Sequence, residues 1–420
     1  MGSQLSYCRR RSASGSKDDR SEESQPAIRP LDRSDLELSE SPRFDVHDPA
    51  MIAYLEEHGY AVVKRVLSDG TAKSDEACGN DFNELEEAER LLWDFVEEGT
   101  EQLWRRDDAS SWCSEEGFSK IATEGPVNGI VNKRGVGQSE VSWFVRTRPK
   151  VRKVFENVWR GELCLVSENV SGDIDSGGSA LTTGKDANDE SATEGASPIA
   201  EGRSSSCCSN ASNIGGSLIC SYDGLGIFRP WHHQIGPKTM GGWFHVDQGR
   251  TKRGRHCIQG MLSLYDQDAT TGGFTVIAGS HRHHDQLIAD VLTPDSADAD
   301  YIALPWEHDL QYIRNKQKRL VTCKAGDFIL WDSRCLHCNT PAARCPTTKR
   351  ERLLRAVIYV CMTPKKWATE EVLTCRRKGY NIYMTATHWP HVNVMGFGWA
   401  RSKRKLDWRT APAAVRELIG

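Results

Sequence analysis

Two side chains suited to hold one metal ion stand two positions apart in Gly242-Trp243-Phe244-His245-Val246-Asp247-Gln248. Side chains of an extended segment alternate between its faces, so His245 and Asp247 point the same way and can meet a common ion. A third ligand must come from elsewhere. Ninety positions on, His337 follows the apolar run Phe328-Ile329-Leu330-Trp331, beyond the end of a strand. Two histidines and one carboxylate make the facial triad that leaves coordination positions open for a cosubstrate and dioxygen, the ligand set of non-haem Fe(II) oxygenases.

Other histidines and thiols suit a metal less well. His232-His233 and His281-Arg282-His283-His284 put adjacent rings in divergent directions, and His256 beside Cys257 reads as structural. Cys335 and Cys338 bracket His337 at a zinc-like spacing, but no second Cys/His pair completes a tetrahedral site. On a strand Cys335 shares the face of His337, where an iron centre would expose it to oxidation, and Cys338 faces away. Cys207-Cys208 has no neighbour that would lower a thiol pKa. Thr387-His388-Trp389-Pro390 is a compact motif without a role derivable from sequence, and docking onto the barrel is its expected place.

The ligands need a frame. Leu218 to Phe228, Ile258 to Leu264, Gly273 to Ile277, Leu320 to Thr322, Asp327 to Trp331 and Ala356 to Met362 are short runs bounded by Gly, Pro, Asp or Asn, as in a sandwich or jelly roll. Ahead of them, helical spacing marks the segment from Pro49 to Leu55, Asp81 to Val96 with its stripe Leu85, Ala88, Leu91, Leu92 and Phe95, and Pro149 to Leu163. Tyr60-Ala61-Val62-Val63 reads as a strand. Helices of the N-terminal half packed against a C-terminal β-barrel, an α+β and mainly β fold, are the predicted architecture.

Composition sets the domain limits. Residues 1–44 are rich in Ser, Arg, Asp and Glu, and 167–216 in Ser, Gly, Asp, Ala, Asn and Thr; neither can bury enough apolar surface to offset its ordering entropy. The expectation is a disordered tail over 1–44, a single domain over 45–410 interrupted by a disordered insertion at 167–216, and a C-terminal tail over 411–420. Within a 420-residue chain, 38% hydrophobic and 27% charged residues suit a globular core. The 54 basic and 58 acidic residues are scattered, which gives no footing for a nucleic acid. Fourteen cysteines without a secretory leader fit reduced thiols in a cytoplasmic protein. No run approaches the roughly 18 apolar residues of a spanning helix. Met1-Gly2-Ser3-Gln4-Leu5-Ser6 nevertheless fits the myristoylation pattern at Gly2, and Cys8 with Arg9-Arg10-Arg11 offers the second signal that peripheral membrane attachment requires.

Phe228-Arg229-Pro230-Trp231, Trp243 to Gln248, Gln259-Gly260, Gly272-Gly273, Gly279-Ser280-His281 and Gly326 through His337 together resemble the phytanoyl-CoA dioxygenase family, over roughly Met51 to Trp399. The resemblance implies a double-stranded β-helix (jelly-roll, cupin-like) fold, Fe(II) on His245, Asp247 and His337, and 2-oxoglutarate and O2 as cosubstrates. It also implies an arginine near the strand after the distal histidine for the far carboxylate of 2-oxoglutarate. Arg355, which abuts the apolar run, and Arg352 both qualify, since strand entry can follow either. Gln259 and Trp331 are further pocket candidates. Related enzymes that halogenate lack the carboxylate ligand, so Asp247 implies hydroxylation of a small molecule, with release of succinate and CO2. The alternatives are a non-catalytic barrel that binds a ligand or partner, and a cupin-like enzyme using another metal. Lys316, Lys318 and Arg319 read as an ordinary charged loop, giving no acyl-CoA site.

Overall fold

The computed structural model describes residues 33–70, 82–122, 129–164, 217–230, 238–292, 300–344, 352–392, 396–399 and 405–420. Gly2, Cys8, the 167–216 insertion with Cys207-Cys208, and His232-His233 lie outside the described residues.

Eight strands make the larger sheet. Seven follow the order β2 (Arg43–Phe44), β3 (Tyr60–Val63), β12 (Phe328–Asp332), β8 (Ile258–Ser263), β14 (Arg355–Pro364), β6 (Leu225–Phe228) and β4 (Ile130–Val131), and β5 (Leu218–Cys220) also pairs with β14. The smaller sheet runs β1 (Leu36–Glu37), β11 (Lys318–Leu320), β9 (Gly272–Val276), β13 (His337–Pro341), β7 (His245–Val246) and β10 (Ile302–Ala303). A ribbon of β15 (Met384–Ala386) and β16 (Gly396–Trp399) stands apart. Pairing is antiparallel except where β1 meets β11 and β2 meets β3.

The larger sheet is buried on both faces, so its strands read as unbroken apolar runs. Alternate residues Tyr60, Val62, Met261, Ile329, Trp331 and Val357 turn inward against Phe274 and Val276 of the smaller sheet. Their neighbours Ala61, Val63, Leu262, Phe328, Leu330, Ala356 and Ile358 turn outward into the core beneath the helices. Two sheets enclosing one interior, with helices on the outer face, are the predicted jelly roll.

The N-terminal helices are α1 (Ala50–His58), α2 (Glu84–Gly99), α3 (Glu115–Ile121), α4 (Glu140–Arg146), α5 (Pro149–Val158) and α6 (Arg160–Cys164). In α2, Asn83 caps the Glu86 N–H; Ala88, Leu91 and Leu92 of the expected stripe are buried together with Val96, while Leu85 and Phe95 are partly buried against the same core. Further along are α7 (His284–Val291), α8 (Glu370–Asn381) and α9 (Ala413–Ile419).

Several boundaries differ from the sequence reading. Residues within the expected tail are structured: β1 and β2 are sheet strands, Leu36 is buried, and Lys318 and Arg319 pair with Asp35 and Glu37 from β11 rather than from a charged loop. The expected tail over 411–420 is instead the docked helix α9, whose Val415, Leu418 and Ile419 are buried while Arg376 donates to the Leu418 and Ile419 carbonyls. Pro149 to Leu163 breaks at Trp159 into α5 and α6. Leu218 to Phe228 splits into β5 and β6 around Gly224, where a Cβ would meet the Val131 carbonyl oxygen at 2.1 Å.

Candidate metal centre

β7 and β13 pair with His245 directly opposite His337, which brings the two imidazoles to a ring separation of 4.2 Å. Asp247 lies one residue past β7, where its N–H donates to the Ser333 carbonyl at 2.8 Å. Its carboxylate turns back between the rings, with Oδ1 at 3.6 Å from His245 Nε2 and Oδ2 at 3.2 Å from His337 Nε2. The three ligand atoms lie within 4.8 Å of one another, a spacing that a single ion with metal–ligand distances of about 2 Å can bridge.

The rings are set for coordination. His245 Nδ1 is 3.1 Å from the Trp243 carbonyl and His337 Nδ1 is 2.9 Å from the Cys335 carbonyl. A carbonyl only accepts, so each Nδ1 carries the hydrogen and each Nε2 presents its lone pair to the ion. Burial, reinforced by His245, pushes the His337 imidazole down from its ordinary pKa, keeping it in the neutral form that binds a metal. Burial by itself would raise the Asp247 carboxyl, but His245 and His337 outweigh it and hold that carboxyl well below the usual range. Gln259 Nε2 donates to Asp247 Oδ2 at 2.8 Å and fixes its rotamer.

The interior behind the triad separates the two arginines. Arg355 opens β14 on the inward face and is fully buried, with Nε donating to Gln267 Oε1 at 2.9 Å, Nη2 to the Met261 sulfur at 3.0 Å, and the guanidinium over the Phe228 ring at 4.8 Å. Its Nη1 is buried without a partner. A buried donor left unpaired costs about 1–3 kcal/mol, so the site is arranged for an acceptor such as a carboxylate. Arg352 is exposed instead and lies over the Tyr265 ring. Trp331 lines the interior beside His337, ring centroids 5.7 Å apart, and its Nε1 also lacks a partner.

Two of the other histidines are held by backbone carbonyls. His281 Nε2 bonds the Glu56 carbonyl and His284 Nε2 the Gln248 carbonyl. Burial pushes the Cys335 and Cys338 thiols up to about 12, away from the thiolate a metal would need. Sequence reasoning missed Trp243, which stacks on His245 at 4.9 Å, although the period of two placed it on the ligand face. It missed Tyr301, which packs on His245 at 4.7 Å while 54% exposed, and Gln267, which orients Arg355. Tyr301 and Gln267 are remote in sequence from the residues they touch, so their signals are not local. The Thr387-Pro390 motif does dock at the barrel, with His388 Nε2 at 3.2 Å from the Asp247 carbonyl oxygen.

A jelly roll with two histidines and a carboxylate converging at one end, and an arginine in the interior with an unpaired nitrogen, fits Fe(II) and 2-oxoglutarate in the donor chemistry of both. The chain belongs to the phytanoyl-CoA dioxygenase (PhyH) family, whose model matches residues 55–342. It is 28% identical over 187 residues to Ava biosynthesis cluster protein O of Aspergillus versicolor. That match covers 41% of this chain and 56% of the relative, so the chain spans little more than half the length of the curated relative. Similar solved structures include the non-heme alpha ketoglutarate dependent carbocyclase SnoK from nogalamycin biosynthesis, at 13% identity and a TM-score of 0.40 over 76% of this chain and 86% of that one. AviO1 from Streptomyces viridochromogenes Tue57 matches at 15% identity and 0.38 over 76% and 97%. Hypothetical protein JW0805 from Escherichia coli matches at 11% and 0.45 over 91% and 86%. Among the described residues no helix is long and apolar enough to cross a membrane.

Proposed function

We propose that the protein hydroxylates a small organic substrate, with Fe(II) on His245, Asp247 and His337 and 2-oxoglutarate on Arg355. The observation that carries this reading is the complete triad, carboxylate included, beside an interior guanidinium with one unpaired nitrogen. Fe(II) and 2-oxoglutarate, when bound, supply dioxygen activation, and the cosubstrate leaves as succinate and CO2.

The protein contributes geometry. His245 and His337 turn their Nε2 atoms toward the ion because their Nδ1 hydrogens are committed to backbone carbonyls. Asp247 adds the anionic ligand, held by Gln259. Its presence favours hydroxylation over halogenation, which needs that coordination position for a halide. Arg355 receives the far carboxylate of 2-oxoglutarate, steadied by Gln267 and Met261, while Arg352 faces solvent. Phe274 and Trp331 pack about His337 and keep water from the interior. Trp243 and Tyr301 flank His245 at the accessible side and offer apolar faces to a substrate.

Anaerobic protein loaded with Fe(II) and 2-oxoglutarate should give a weak visible metal-to-ligand charge-transfer band, and a metabolite library scored by succinate formation should identify a substrate whose product gains one oxygen. His245→Ala should abolish both signals. Absence of the band with all three ligands intact would sink the proposal.

A further inference from the structure

The Thr387-His388-Trp389-Pro390 segment lies beyond the residues that the family model matches, yet it returns to the metal centre. It follows β15, whose Ala386 N–H donates to the Tyr222 carbonyl at 2.8 Å. Trp389 is then buried against Cys257 and Cys361, with Lys252 Nζ 4.6 Å from its ring centroid. From that anchor the half-buried His388 places Nε2 3.2 Å from the backbone oxygen of Asp247. Because a carbonyl only accepts, Nε2 carries the hydrogen and His388 is the donor.

Asp247 needs such a contact. It lies one residue past β7, beyond the last position paired in the sheet ladder, so strand pairing does not fix its peptide plane. Rotation of that plane would swing the Cα–Cβ bond and carry the carboxylate away from the two imidazole Nε2 atoms. Three contacts oppose this: the Ser333 carbonyl accepts from the Asp247 N–H, Gln259 donates to the carboxylate, and His388 donates to the carbonyl. Ser333 and Gln259 belong to the jelly roll. His388 arrives from the C-terminal segment.

We propose that His388 is a positioning residue of the metal centre, fixing the Asp247 backbone so that its carboxylate stays in register with His245 and His337, and thereby setting metal affinity and ligand field. This rests on the reading of those three residues as metal ligands. Partners that orient a ligand typically change metal affinity 10–100-fold when lost.

The test uses metal-free full-length protein titrated anaerobically with Co(II), read by calorimetry and by the visible d–d spectrum, with thermal melting of each apo-protein as the folding control. His388→Ala should bind Co(II) at least about tenfold more weakly, with an altered spectrum and an unchanged apo melting temperature. His388→Gln, whose amide N–H can reach the same carbonyl, should recover most of the affinity and the wild-type spectrum. If His388→Ala fails to fold, His388→Asn, too short to reach, is compared with His388→Gln: weaker binding in Asn alone supports the proposal, and equal binding overturns it. Wild-type affinity and spectrum in His388→Ala, with binding lost in His245→Ala, overturn the role of His388 alone. If the wild type binds no Co(II), or His245→Ala binds it equally well, the ligand assignment fails and this role falls with it.

Discussion

Asp247 is the residue on which the centre turns, because it faces both imidazoles and takes its orientation from Gln259. Gln259→Leu should weaken Fe(II) binding by about tenfold while leaving the three ligands in place, measured by metal titration of apo-protein. Arg355→Lys should raise the dissociation constant for 2-oxoglutarate by roughly 10- to 100-fold, the worth of a charge-assisted pair, with Fe(II) affinity unchanged. Arg352→Ala should leave both constants unaltered; the charge-transfer band titrated with 2-oxoglutarate reads all of these. The three residues that meet at this centre were legible because their types and the spacing of two suit metal coordination. The arginine was narrowed to two positions and no further, since the apolar run does not mark where strand entry begins. β14 opens at Arg355, and the alternation that turns Val357 inward turns Arg355 inward with it.

At the scale of elements, strand partners complete what each residue begins. Gly226 on β6 lies against β14, and a Cβ there would stand 3.1 Å from Arg355 Nη1 and 2.9 Å from Tyr359 Oη. Gly226→Val should therefore displace the guanidinium, costing about 1–3 kcal/mol in a urea titration and weakening 2-oxoglutarate binding more than metal binding. An isolated glycine within a strand run is a sequence signal of close approach, although what approaches it is not local information. The amphipathic α2 could be read from its period because its core face is written in consecutive turns. β1 and α9 could not: each is short, and each gains its burial from a remote partner, Lys318 and Arg319 for the one and Arg376 for the other. Leu418→Ala should destabilise by about 2–5 kcal/mol, which a true tail would not do.

Taken whole, the molecule buries several neutral histidines, and this fixes its response to acid. Burial holds the His391 imidazole down at about 4, with His256, Lys252 and Arg376 adding to the effect. The unfolded chain takes up that proton near pH 6.5. Between about 6.5 and 4 the unfolded state binds more protons, so stability is fully present above this window and is lost as pH falls through it. His391 should account for a fall of about 2 kcal/mol between pH 7 and pH 5, and His281 and His284, lowered by burial as well, add in the same direction. Urea unfolding at the two pH values should show a smaller difference in His391→Gln than in the wild type. By itself the sequence determined the types of the candidate ligands, the apolar runs of the larger sheet, and the helices that cover it, because each is a local pattern of side-chain chemistry. Only the tertiary structure decided that His245 stands opposite His337, that Arg355 rather than Arg352 faces the interior, and that His388 reaches Asp247. These are facts of register between strands and segments remote in sequence, and register is set by the packing of the whole chain.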